Sequence, residues 1–149
     1  AEYINRGHDF ARFLEGFRTA REYGLRVCVH IINGLPGESY DMMIESARKV
    51  AALHPEFIKI HLLHVIRGTA AEREYEEGLF RTLEYDEYVN TVCDQIELMP
   101  PETAIERLTG DGAADSLIAP LWSRDKRRVL NGIDKTLAAR GSCQGIFFK

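Results

Sequence analysis

Residues 26–38, RVCVHIINGLPGE, decide the fold. Arg26 to Asn33 is β-branched and almost continuously apolar, the pattern of a strand buried on both faces. Gly34-Leu35-Pro36-Gly37 then breaks it sharply. Upstream, Phe10, Phe13, Leu14, Phe17 and Ala20 form an apolar stripe that predicts a helix over His8 to Tyr23, with Gly24 as its stop. Downstream, Ser39 can cap a helix whose Met43, Ala47, Val50 and Ala51 share one face up to about Leu53. His54-Pro55 ends it, because proline disfavours helix in the residue before it. Helix, strand and helix follow one another within about fifty residues, as they do in parallel-sheet proteins.

The remainder repeats that rhythm. Phe57 to Ile66, FIKIHLLHVI, reads as a second strand, followed by a charged helical connection from Thr69 to Leu79. Asp86 opens a helix with Val89, Val92, Cys93 and Ile96 inward, ended by Pro100-Pro101. Thr103 to Thr109 reads as a third strand, then comes a loop rich in Gly, Ala and Asp. Ser123 is the expected cap of a last helix through Arg140, stopped by Gly141. The order α-β-α-β-α-β-α predicts an α/β fold with a parallel sheet. Three strands are too few to close, and a complete eight-unit barrel takes roughly 200 residues or more. The reading is therefore a partial parallel (β/α) barrel with earlier units missing.

Composition narrows the function classes. Of 149 residues, 45% are apolar and 28% charged, with a net charge of −4, so the chain can build a core and has no mark of disorder. No run of eighteen apolar residues predicts a membrane span, and no basic-then-apolar leader opens the chain. Cys28, Cys93 and Cys143 are odd in number and far apart, which points to a reducing compartment, and the expected location is cytoplasmic. The chain opens at Ala1 rather than Met and runs at once into a helical pattern, as a piece of something longer would.

Working groups in parallel sheets gather at the carboxyl ends of the strands. Those ends are Asn33 to Glu38, His64 to Thr69, and Thr109 to Gly112, each with glycine, which serves a tight turn or a close ligand equally well. Alternation puts Lys59, His61 and Leu63 on one face of the second strand and Ile58, Ile60 and Leu62 on the other. Cys28 and His30 likewise oppose Val27, Val29 and Ile31. The polar faces would line a cavity, or each histidine would simply hydrogen-bond a neighbour. His61 and His64 face opposite sides of a strand and cannot share a metal ion, and no cysteine spacing suits a metal. No nucleophile elbow, P-loop or dinucleotide fingerprint occurs. Arg124, Lys126, Arg127, Arg128, Lys135 and Arg140 make the last helix basic, a face for water or for RNA phosphates.

INRGHDFARFLEGFRTAREYGLRVCVHIINGLPGES resembles the middle of radical S-adenosylmethionine (SAM) proteins. The branch is the one similar to oxygen-independent coproporphyrinogen III oxidase and to the radical domain of Elongator-type tRNA-modifying enzymes. ELMPPETAIERLTGDGAADSLIAPLWSRDKRRVLNGIDKTLAARGSCQGIFF is similar to the C-terminal signature of a bacterial subgroup of that branch. The likeness covers nearly the whole chain.

The resemblance implies the C-terminal half of a TIM-like open barrel. Barrel units would occupy residues 1–99 and a family-specific segment residues 100–149. It further implies S-adenosylmethionine and a 4Fe–4S cluster as cofactors. The HIINGLPGE strand corresponds to the family's adenosyl-contacting G-x-I-x-G-x-x-E. Ile32 and Gly34 match, His30 replaces the first glycine, and Glu38 falls one residue late. Ile32, Asn33, Gly34, Leu35 and Pro36 are thus implied cofactor contacts, with His64, Val65 and Ile66 lying against the adenine. His30, His61, Arg107 and Asp111 are the substrate candidates, Arg107 as an anion anchor.

The family's CxxxCxxC is absent here, so the cluster ligands are expected upstream, the chain itself holds no metal, and alone it should be inactive. The favoured substrate is a tRNA wobble uridine, and the alternative is a tetrapyrrole carboxylate. A non-catalytic half-barrel module, paired through its open sheet edges as a dimer or with another chain, is the rival. The expected partners are otherwise the missing N-terminal half of the barrel and tRNA, with no membrane.

Overall fold

The structure is a computed structural model describing residues 7–110 and 115–149. Helix α1 spans Phe10–Glu22, with the Asp9 side chain accepting from the Arg12 amide as its cap. Strand β1 (Cys28–Asn33), helix α2 (Tyr40–Ala51) capped by Ser39, and strand β2 (Phe57–Leu62) follow as the periodicity predicts. Helix α4 (Tyr85–Leu98) opens with a capping box in which Glu84 and Glu87 satisfy each other's amides, one residue ahead of Asp86. Strand β4 (Ala104–Arg107) and helix α5 (Lys126–Arg140) complete the main frame. β1, β2 and β4 form a parallel sheet in that order, Cys28 opposite Phe57 and Phe57 opposite Ala104.

Four expectations need correction. The stretch 57–66 is not one strand: β2 stops at Leu62, and Val65–Ile66 form a separate strand, β3. β3 pairs antiparallel with β5 (Leu117–Ala119), so the strands are not all parallel. The third predicted strand is only four residues long; the charged connection, by contrast, carries a short helix as expected, α3 (Ala70–Glu76). Ser123 does not cap α5. It lies in a 3₁₀ turn with its hydroxyl donating to the Pro120 carbonyl, and Asp125 accepts the Arg128 amide instead.

All four long helices cover one side of the sheet. Val29, Ile58, Ile60 and Leu62 share a single buried cluster with Phe17, Ala47, Val92 and Ile133. Tyr88 seals its centre, fully buried, with its hydroxyl donating to the carbonyls of Ile60 (3.3 Å) and Leu108 (3.0 Å). That bond explains how a polar group survives in the core, and burial raises its pKa.

Glu56, ahead of β2, ties α1 to the sheet edge. Its carboxylate accepts the Val27 amide at 2.9 Å and the Arg21 guanidinium at 2.5 Å. Those two bonds hold Glu56 down at about 2, against 4.5 for an ordinary glutamate. A depressed carboxylate pKa adds stability that is present above pH 4.5 and is lost as pH falls towards 2. Glu56→Gln is expected to lower stability at neutral pH and to flatten that acid limb. Parallel acid titrations of both proteins followed by circular dichroism check it. Identical limbs would refute it.

Candidate functional site

The helices leave the other face of the sheet open, and this face is the candidate site. At the amino end of the strands the Arg26 guanidinium lies 4.4 Å from the centre of the Phe57 ring. In the middle, Lys59 Nζ pairs with Glu106 Oε2 at 3.2 Å, and Cys28 Sγ donates to the same oxygen at 3.6 Å. Burial and then Glu106 raise the Cys28 pKa, so it is held as a thiol. The His30 and His61 rings stack above them with centroids 5.5 Å apart. Ile32 stands at the carboxyl end, 46% exposed. The face therefore grades from charged to apolar along the strands.

Lys59, His61, Cys28 and His30 stand on this face as their alternation predicts, and Glu106 joins them unpredicted. A register shift sits between the partners of Ile58 and Lys59, which face Ile105 and Arg107. Ile105 and Leu108 both pack on the core, so the extra residue leaves Glu106 and Arg107 together on the open face. Arg107 is half-buried beside Lys59. Asp111 lies outside the described residues, as do Asn5 and Arg6.

The β1–α2 loop closes the carboxyl end. Glu38 Oε2 accepts the amides of Gly34 (2.8 Å) and Leu35 (3.1 Å), so the glutamate that sits one residue late braces the loop. Burial raises the Glu38 pKa, with the Leu35 and Gly34 amides opposing it. Gly34 takes φ +80° and packs so closely that an added Cβ would lie 2.9 Å from Leu83 Cγ. Asn33 is turned inward, 2% exposed, in a reciprocal amide pair with Gln95, both bonds 2.8 Å. Leu35 and Pro36 are half-buried. Val65 is fully buried, and Val65 and Ile66 both pair with β5. His64 packs on Gly110, where any Cβ would overlap its ring, which joins the loops after β2 and β4. Of the implied cofactor residues, Ile32 alone presents a large exposed apolar side chain.

Among the described residues no group of three His, Cys, Asp or Glu can hold a metal ion. Cys93 donates to the Ile133 carbonyl at 3.7 Å and is pushed up to about 11 by burial, opposite to what a thiolate ligand needs. No helix among them is long and apolar enough to cross a membrane.

The family description "Radical_SAM C-terminal domain" matches residues 55–139, and "Radical SAM superfamily" matches residues 1–50. The chain belongs to the radical SAM proteins. YtqA of Bacillus subtilis is 51% identical over 146 residues, 98% of this chain and 45% of YtqA. The radical SAM chain thus spans about half the length of that relative. A tRNA uridine(34) acetyltransferase of Dehalococcoides mccartyi is 29% identical over 140 residues, 92% of this chain and 30% of that protein. The solved structure of the archaeal Methanocaldococcus infernus Elp3 superimposes with TM-score 0.82 at 20% identity, over 95% of this chain and 34% of that one. That likeness concerns the fold, and it fits the partial parallel barrel described above.

The cysteines here do not suit an iron–sulfur cluster: one is buried in α4, one is held as a thiol on β1, and Cys143 is exposed. The loop after β1 suits a flat apolar ligand better. Exposed Ile32 presents an apolar surface at the strand ends, and Glu38 fixes the backbone of the loop beside it.

Proposed function

We propose that this chain forms the C-terminal part of a radical SAM enzyme that modifies the wobble uridine of tRNA. The division of the sheet into two unlike faces carries the reading. One face packs mainly apolar side chains under helices, with the Asn33–Gln95 amide pair at its end, and the other bears His30, His61, Lys59, Glu106 and Arg107 with no helix among the described residues over it. Parallel sheets are ordinarily covered on both faces, so an uncovered polar face on this one is suited to a ligand and the rest of a barrel. The tRNA uridine(34) acetyltransferase among its relatives favours tRNA over a tetrapyrrole.

S-adenosylmethionine, bound with a cluster whose ligands lie elsewhere, supplies a 5′-deoxyadenosyl radical. This chain's share is binding and orientation. Ile32 and the Gly34 loop would seat the adenosyl group. The His30–His61 stack offers ring edges to a uracil, and Arg107 offers a fork for an anionic group. Glu106 holds the Lys59 ammonium in place beneath them, and that hydrogen bond lowers the Glu106 pKa.

The test uses the full-length protein, reconstituted without oxygen. About four iron and four sulfide per chain are expected, with deoxyadenosine released in the presence of tRNA and reductant. A protein that binds no cluster would overturn the enzyme reading. His61→Leu is expected to slow tRNA-dependent deoxyadenosine release about tenfold, the worth of one directed hydrogen bond, with iron content unchanged. An unaltered rate would remove His61 from the substrate wall.

A further inference from the structure

We propose that the recess between the first turn of α4 and the amino-terminal half of α5 is a phosphate-binding subsite for the backbone of an RNA substrate. It rests on the tRNA reading above. The recess has a volume of about 330 Å³ and is lined by Tyr85, Asp125, Arg127, Arg128, Asn131 and Lys135, with Gly132 behind. That size is at the small end of ligand clefts, about 300–1,000 Å³.

Three cations and one carboxylate line it, on a chain whose net charge is −4. The carboxylate is already engaged, since Asp125 accepts the Arg128 amide at the helix start. Arg127, Asn131 and Lys135 recur at every fourth residue, a single row on the exposed side of α5 opposite buried Val129 and Ile133. No ion pair among the described residues is found for Arg127 or Lys135. Arg140, on the same helix, is spent differently, paired with Asp94 at 2.7 Å and Glu97 at 3.3 Å. Arg124 donates to the Leu117 carbonyl. The basic helix is thus a mixture of structural arginines and a short outward row.

Position makes that row useful. Leu83, just ahead of α4, packs against Gly34 beyond the carboxyl end of β1, so the start of α4 lies at the same end as the site. A chain of contacts joins the two. Arg128 lies 4.3 Å over the Tyr85 ring, which meets Trp122 edge-on at 5.7 Å. Trp122 Nε1 donates to the Leu83 carbonyl at 3.0 Å, and Leu83 packs against Gly34 of the loop after β1. A phosphate held by Arg127 and Lys135 would anchor a strand whose base reaches the open sheet face. The Arg128–Tyr85 stack is a platform of the kind that nucleic acids meet.

The experiment measures anisotropy of a labelled tRNA transcript with full-length protein, from about 50 to 300 mM salt. Arg127→Glu with Lys135→Glu is expected to weaken binding about tenfold or more near 150 mM and to make the salt slope shallower by about 1.5. Arg48→Glu with Lys49→Glu, an equal charge change on α2, should alter affinity by less than about twofold. The neutral pair Arg127→Gln with Lys135→Gln, both at exposed positions, should weaken binding about threefold and guards against misfolding. Wild-type binding that neither recess pair disturbs would overturn the subsite and leave the tRNA reading standing. Equal losses in the α2 pair would overturn it as mere net charge. A wild-type protein that binds no tRNA would overturn both.

Discussion

Gly34→Ala is expected to destabilise the protein by about 2–5 kcal/mol, combining a left-handed backbone penalty with an overpacking cost. Gly34 holds φ +80°, where an L-residue costs about 1–2 kcal/mol. Its new Cβ would also lie 2.9 Å from Leu83 Cγ and 3.0 Å from Cδ1. Cγ is the branch point of the side chain, so relief requires Leu83 as a whole to move, and Leu83 packs against the core. Gly37 provides the internal control. It has nearly the same backbone, φ +75°, but nothing lies within 4 Å of its Cβ position. Gly37→Ala should therefore cost only the conformational part, about 1–2 kcal/mol. Urea unfolding of both variants separates the two contributions, and equal losses would show that Leu83 yields freely. On the proposed function, Gly34→Ala should also raise the S-adenosylmethionine concentration needed for turnover, because the displaced loop frames the adenosyl slot.

The contrast between these glycines shows what the sequence could and could not reveal. GLPG announces a sharp turn, and the turn is there. Which of its glycines presses on a side chain fifty residues away is a tertiary fact with no local signal. The alternation of Ile58, Ile60 and Leu62 against Lys59 and His61 was legible because a strand has a strict period of two. β5 was not, because three residues paired with two leave no period to detect. Its partner, β3, looked like a continuation of β2 for the same reason: apolar residues run across the break at Leu63 and His64.

The site followed the same rule. His30 and His61 were found by their faces, and the structure adds that their rings stack. Glu106 was missed because a bulge is invisible in one strand's sequence, although its acidic charge beside Arg107 in a short apolar strand was an available hint. Ser123 and Asp125 are both good capping residues. The 3₁₀ turn over Leu121–Arg124 gave the role to Asp125. Asn33 is a cofactor contact implied only by the family resemblance, and its side chain is turned into the protein.

That inward turn carries the second large effect. Gln95→Met is expected to cost about 2–4 kcal/mol, because it strands both polar atoms of the Asn33 amide in the core. The reciprocal pair, two bonds of 2.8 Å, is buried at both ends, and Gln95 Nε2 also donates to the Met43 carbonyl at 3.1 Å. Asn33→Leu, of similar shape, should cost a comparable amount by stranding Gln95 in turn. Changing both at once removes the buried polar atoms together and leaves only the Met43 carbonyl short of a donor. The double variant should then be more stable than the sum of the singles implies, with a coupling of about 1–3 kcal/mol. Additive losses would mean that water reaches the pair. The coupling bears on function through geography. Asn33 is the last residue of β1 and Gln95 lies on α4, so this amide pair fixes the strand end from which the Gly34 loop departs. A double variant that regains stability but not S-adenosylmethionine affinity would show that the pair sets the loop's position rather than the fold's survival.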